Sequence, residues 1–194
     1  MNLLLTLLIA HLFADFPLQT NALAKCKEKY WTGVLLHVLV HLLVMALLID
    51  NRGQYWPLIL GIGVAHFAID GMKLLCPGPK GIAYFLFDQA LHIGTLVLAT
   101  YLAHQSWQSA PLSILPDAWL FPLLAGALIP ALMVLVWLWT NTLSQEYTTR
   151  FYLLGWAKHQ MLVVEQRIGL LLIAFVFLQP ALHALPQLIQ EIWR

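Results

Sequence analysis

Six long apolar runs, separated by short segments that hold most of the charge, dictate what this chain can become. They are Leu3 to Phe16, Trp31 to Ile49, Trp56 to Leu75, Ile82 to Tyr101, Trp119 to Thr140 and Ile168 to Ala184. Crossing the hydrocarbon core of a bilayer takes about 20 apolar residues in a helix. Most of the runs supply that length; the first is short and the last borderline. Lipid offers no partner to an open backbone amide or carbonyl, so the runs are read as helices. Trp31, Trp56, Tyr84, Tyr101 and Trp119 fall near their ends, where amphipathic rings sit at the headgroup level. The composition agrees, with 61% hydrophobic and 10% charged residues, against roughly 45–50% and 25% in a soluble domain. The expected architecture is all-α, a polytopic membrane bundle of about six transmembrane helices. No internal repeat or low-complexity tract divides it, so residues 1–194 read as one domain.

The basic residues supply an orientation. Lys25, Lys27, Lys29, Lys73, Lys80, Arg150, Lys158 and Arg167 all fall on one side of such a bundle, and only Arg52 and Arg194 on the other. Short cytoplasmic loops carry the Lys and Arg excess, so both termini are expected on the periplasmic side. Cys26 and Cys76 then face a reducing compartment, and their separation matches no zinc-knuckle spacing. A cleaved secretory signal ending near Ala22-Leu23-Ala24 is a competing reading of the first run. Against it, no basic residue precedes the run, and His11 and Asp15 interrupt it. A formal charge of +1 provides no basic face for a nucleic acid. The segment from Phe151 to Val164, apolar but broken by Lys158, His159 and Gln160, reads as an interfacial helix. Pro122 and Pro130 fall inside the fifth run, where they are expected to kink it.

Ionisable residues inside a membrane span are costly and mark a functional site by default. Here they come as pairs four apart, one on each of the first four runs: His11 and Asp15, His37 and His41, His66 and Asp70, Asp88 and His92. Residues spaced i,i+4 share a helical face, and random placement of the same His and Asp would give about one such pair. Their depths also match. Each pair lies within roughly 15 Å of the boundary that carries the lysines, at ~1.5 Å of rise per residue. The four pairs can therefore meet in one layer.

Imidazole and carboxylate are the ligand types that zinc, manganese and iron accept. A divalent metal site, zinc first, is the economical reading, with His11, Asp15, His37, His41, His66, Asp70, Asp88 and His92 as candidate ligands or their orienting partners. Eight candidates exceed the needs of one ion, which leaves room for two metals bridged by a carboxylate or water. Taken singly, an intramembrane His is more often a hydrogen-bonded packing residue, and the whole set can also be read as helix glue or a proton relay. Lys73, three residues after Asp70, reads first as its ion-pair partner and second as a cation for a substrate phosphate. Arg167 is ordinarily an interfacial anchor; with Glu165 beside it, a headgroup clamp and a proton acceptor are the sharper roles. Gln19 and Gln89 flank the cluster, and His104, His159 and His183 read as surface residues. No HExxH, GxSxG, phosphate-binding glycine loop or CxxC motif is present.

The string from His11 to Gln19, followed by His37 and His41, His66 to Asp70 with Lys73, and Asp88, Gln89 and His92, resembles the bacterial membrane-protein family labelled domain of unknown function 3307. The resemblance covers roughly the first half of the chain. It implies a bacterial inner-membrane location and supplies no chemistry, so the metal reading stands on spacing and depth. The expected function is a membrane-embedded metal-dependent enzyme, a hydrolase acting on a lipid or lipid-linked substrate from the cytoplasmic leaflet. Asp15, Asp70, Lys73, Asp88, Glu165 and Arg167 are its candidate catalytic groups. A transporter or sensor of divalent metal ions or protons, using the same cluster, is the alternative.

Overall fold

The computed structural model describes residues 2–50, 52–78, 81–107 and 114–144, with positions 167, 171 and 174. Among the described residues the chain forms six α-helices and no strand: α1 (Asn2–Asp15), α2 (Asn21–Lys27), α3 (Trp31–Leu48), α4 (Arg52–Leu75), α5 (Ile82–Ser106) and α6 (Asp117–Ser144). Helices α3 to α6 are each long and apolar enough to cross a membrane. The first run departs from the six-span expectation. It folds as a helix of 14 residues, about 21 Å long, short of a hydrocarbon core of about 30 Å. The run from Ile168 to Ala184 apart from positions 171 and 174, the segment from Phe151 to Val164, and Glu165, His159 and His183 lie outside the described residues. Both prolines of the fifth run sit inside α6, which continues past them to Ser144.

Burial explains how a short α1 is used. Ten of its residues are buried, on every side of the helix, the pattern of an apolar helix enclosed by neighbours. It packs against α3, α5 and α6, while α4 packs against α3 and α5. The longer helices each bury one stripe: Val34, His37, Val38, His41, Met45 and Leu48 on α3, and His92, Leu96, Ala99 and Ala103 on α5. Their other faces stay apolar and exposed, as at Leu36, Leu43, Val64, Phe87 and Leu98. A large apolar exterior of this kind suits lipid as the neighbour.

The two ends of the bundle differ. At one end α1 and α6 begin and α3 finishes, tied by a hydrogen bond from the Asn2 side chain to Asp117 and by the Ile114 N–H donating to the Leu48 carbonyl at 3.0 Å. There the interior is apolar: Leu3, Leu7, Met45, Tyr55, Leu58, Leu96, Ala103, Leu120 and Leu123 form one buried cluster. The Tyr55 and Trp107 rings close it edge to face, 5.2 Å apart. Toward the other end, the same buried stripes carry the His and Asp pairs.

The charged connection after the first run holds a helix that its apolar pattern does not announce, Asn21–Lys27. Its N-cap is Thr20, whose hydroxyl accepts a hydrogen bond from the Leu23 N–H at 3.2 Å, the usual way a first-turn amide is satisfied. Gly33 sets how α2 sits on α3. A Cβ at that position would lie 2.4 Å from backbone atoms of Cys26 and Lys27, so only glycine lets the two backbones approach this closely.

Candidate metal centre

All four predicted pairs converge. His11, Asp15, His37, His41, His66, Asp70 and His92 are buried, and Asp88 lies at their edge with 13% of its side chain exposed. Each pair extends a buried helical stripe, so the packing that builds the apolar end also aligns the polar layer. The imidazoles form a continuous group. His41 and His66 have ring centroids 3.9 Å apart, His66 stacks on His92 at 4.1 Å, and His37 meets His41 edge to face at 4.6 Å.

Asp15, at the end of α1, lies at the centre. Its Oδ1 is 3.0 Å from His37 Nε2 and 3.0 Å from His41 Nε2, and those two nitrogens are 3.2 Å from each other. Its Oδ2 accepts from the Gln89 amide at 3.1 Å, while the Gln89 carbonyl oxygen is 3.4 Å from His11 Nε2. Gln89 thereby holds Asp15 and His11 together. Asp70 is the second centre: its Oδ2 lies 3.5 Å from His66 Nε2 and 3.6 Å from His37 Nε2, and its Oδ1 lies 3.5 Å from His92 Nε2.

Hydrogen bonds alone do not satisfy this arrangement. A neutral ring nitrogen either donates one proton or offers one lone pair. His37 Nε2 nevertheless faces Asp15 at 3.0 Å, His41 at 3.2 Å and the Lys27 ammonium at 3.1 Å. His66 Nε2 is buried with no hydrogen-bond partner among the described residues, as are Nδ1 of His37 and of His92. Leaving such groups unpaired in an apolar interior costs about 1–3 kcal/mol each. Converging lone pairs are instead what a cation requires. Around an ion with ligands at 2.0–2.1 Å, tetrahedral donors stand about 3.3–3.4 Å apart, close to the Asp15, His37 and His41 separations.

Two sets of donors come together in the layer. Asp15, His37, His41 and His66 bring their ligand atoms within 4.8 Å of one another, and His66, Asp70 and His92 do the same. The sets share His66, so the layer can hold a metal ion at either position. His11 and Asp88 lie outside both sets. His11 orients Asp15 through Gln89, and Asp88 engages Lys73 at 2.6 Å.

Lys73 also contacts Asp70 at 2.6 Å, as its spacing predicts, and bridges α4 to α5. The cation that sequence reading did not place in the layer is Lys27 of α2, 3.1 Å from His37 Nε2 and 3.5 Å from Asp70 Oδ2. With neutral imidazoles, three carboxylates against two ammonium groups leave the layer at −1. Arg167 is exposed, while Glu165 falls outside the described residues. His104 is exposed too, and its Nδ1 donates to the Thr100 carbonyl at 2.7 Å, as a surface histidine does. Gln19 leaves its Oε1 buried without a hydrogen bond among the described residues.

The family model DUF3307, described as a protein of unknown function, matches residues 3–121, a stretch that includes every helix bearing the polar layer. No curated protein and no solved structure matches the chain. The matched stretch is more than half of the chain and contains all four His and Asp pairs, so the chain belongs to the DUF3307 family.

Proposed function

We propose that this protein is a membrane-embedded metal-dependent enzyme, a hydrolase acting on a lipid or lipid-linked substrate. The observation that carries the reading is the mutual approach of Asp15 Oδ1, His37 Nε2 and His41 Nε2 at 3.0–3.2 Å, beside a buried His66 Nε2 with no hydrogen bond among the described residues. Zinc suits this nitrogen-rich set best, with manganese and iron as the other ions it accommodates. Asp15, His37, His41 and His66 form the first ligand set; Asp70 and His92 with His66 form the second. A bound divalent ion supplies a water of pKa about 7 and a Lewis acid for a phosphoryl or carbonyl oxygen. In this reading Lys73 offsets negative charge that develops on the substrate. Glu165 as proton acceptor and Arg167 as headgroup clamp belong to the same proposal.

The layer lies toward the end that carries Lys25, Lys27, Lys29 and Lys73. We place that end at the cytoplasmic face of a bacterial inner membrane, with both termini periplasmic. A transporter would need polar groups continuing to the opposite face. The buried cluster there is made of Leu, Ile, Met, Ala and aromatic side chains, which favours a one-sided site.

Elemental mass spectrometry on protein purified in mild detergent without chelator tests the reading. Wild type should carry one or two equivalents of zinc, manganese or iron, and the His37→Ala, His41→Ala double variant should lose them while remaining helical. Metal-free wild type after incubation with zinc and with manganese would overturn it.

A further inference from the structure

Lys73 and Asp88 link the polar layer to the outside of the bundle. Between α4 and α5 runs a cavity of about 170 Å³, lined by Ile69, Met72 and Lys73 from one helix and by Phe87, Asp88 and Leu91 from the other. Within each trio the residues are three and four apart or adjacent, so each helix turns a single face to the cavity. Met72 is 59% exposed and Phe87 61%. Both are large apolar side chains on candidate membrane spans, so the cavity faces lipid sideways.

Its polar pair sits where a headgroup would. Lys73 is two residues before the end of α4, ~3 Å of rise from the boundary, and Asp88 is six residues into α5, ~9 Å from it. Ile69 and Leu91 lie about one turn deeper. Polar groups near the boundary with apolar walls below them match the amphiphile of the adjacent leaflet. An ammonium carries three N–H donors. Asp70 and Asp88 engage Lys73 at 2.6 Å each, which leaves one donor for a ligand in the cavity it lines. Behind the pair, Asp88 Oδ1 is 3.6 Å from His92 Nε2.

We infer that this groove binds a phospholipid with an anionic headgroup, its phosphate at Lys73 and an acyl chain along Ile69 and Leu91, and that it is the lateral entrance to the polar layer. The inference rests on the metal-dependent reading above for its consequence, because only a layer that holds a divalent ion gives a lipid entering from the groove a group to react with.

Native mass spectrometry of the full-length protein in detergent tests it, using phosphatidylglycerol and phosphatidylcholine with the same acyl chains. Phosphatidylglycerol should bind about fivefold more tightly, the scale of one lysine acting on an anionic lipid. Lys73→Gln should erase that preference. Leu91→Trp, which fills the deep end of the groove, should weaken both lipids, and Met72→Trp provides a second block should the first variant misfold. Val97→Trp, exposed elsewhere on α5, should leave binding unchanged. Equal affinity for the two lipids in wild type, unchanged binding in both groove-filled variants, or displacement of the lipid by inorganic phosphate alone would overturn the inference. Metal content measured on the same samples separates the two readings. Metal retained without lipid selectivity removes only the groove assignment, and selectivity without metal removes only the metal centre.

Discussion

The two halves of α1 show two ways of filling the interior of one bundle. From Leu3 to Ala10 the helix is surrounded by aliphatic and aromatic side chains, and the packing there is non-directional. One turn later His11 and Asp15 meet three other polar helix faces, and every contact depends on direction and on proton or metal occupancy. The helices and the burial are the same at both ends. What differs is that the interior of the apolar end is filled by non-polar contact, with the Tyr55 hydroxyl unpaired among the described residues, whereas the polar layer gathers several ring nitrogens with too many neighbours or none. Buried polar groups in a native protein are normally satisfied, so a layer in which unsatisfied donor atoms converge is one that a metal ion could complete.

The sharpest way to break this contrast is at Asp15. Asp15→Ala removes the acceptor that His37, His41 and Gln89 share. The bound ion should be lost, with affinity falling by more than about 100-fold, beyond what removing an outer partner does. Isothermal titration with zinc on metal-stripped protein measures it; unchanged affinity would remove Asp15 from the ligand set, and no zinc binding in wild type would mean that the layer is only helix glue. The mirror experiment is Leu7→Ala in the apolar half. Leu7 is fully buried, so the cavity should cost about 2–5 kcal/mol of stability. Thermal melting in detergent should record the loss while the metal content stays at the wild-type level.

Much of this division is legible in the residue order. The i,i+4 spacing of four pairs fixes the face each presents, and the constant rise of a helix fixes its depth, so a shared depth follows from counting residues, while their meeting on one centre is set by how the helices pack. The buried stripes on α3 and α5 continue through those pairs, so no new packing rule is needed. What counting does not reveal is tertiary. In the sequence Lys27 is one of several orienting charges, because its approach to His37 depends on a seven-residue helix without a long apolar pattern and on Gly33 yielding space between two backbones. Gln89 can be placed near the cluster, but its bridge between Asp15 and His11 depends on how α5 lies against α1. The sharing of His66 by two donor sets is likewise a property of packed helices. The first run reads as a span because it is mostly apolar; its enclosure by α3, α5 and α6 accounts for that composition without requiring it to cross alone.

Gly33 tests the tertiary part directly. Gly33→Ala places a Cβ against the backbone of Cys26 and Lys27, so α2 must shift, at a cost of about 1–3 kcal/mol by the usual scale of overpacking. Melting in detergent should show that loss. Because Lys27 moves away with α2 while the four donors of the first set stay on α1, α3 and α4, zinc binding should persist. Its disappearance would mean that α2 holds the centre together.

Lys27 itself gives the smallest effect and the one with the most informative sign. Its ammonium lies 3.1 Å from His37 Nε2 and 3.5 Å from Asp70 Oδ2, on the edge of the space between the two donor sets. If the layer is built for a cation, this lysine is a competitor, repelling the incoming ion and occupying the lone pair of one of its ligands. If the layer is only structural, the lysine is a stabilising partner that neutralises a buried aspartate, and its removal should lower the melting temperature with no effect on metal. Lys27→Met keeps the apolar stem and removes the charge. Zinc affinity should rise about tenfold, the lower end of what a neighbour outside the ligand set contributes but with the opposite sign to the loss of a supporting group. The gain should shrink when Asp70 is changed to Asn in the same protein, because that carboxylate is what Lys27 neutralises. A fall in zinc affinity in the single variant would place Lys27 among the groups that build the centre and reverse the role assigned to it.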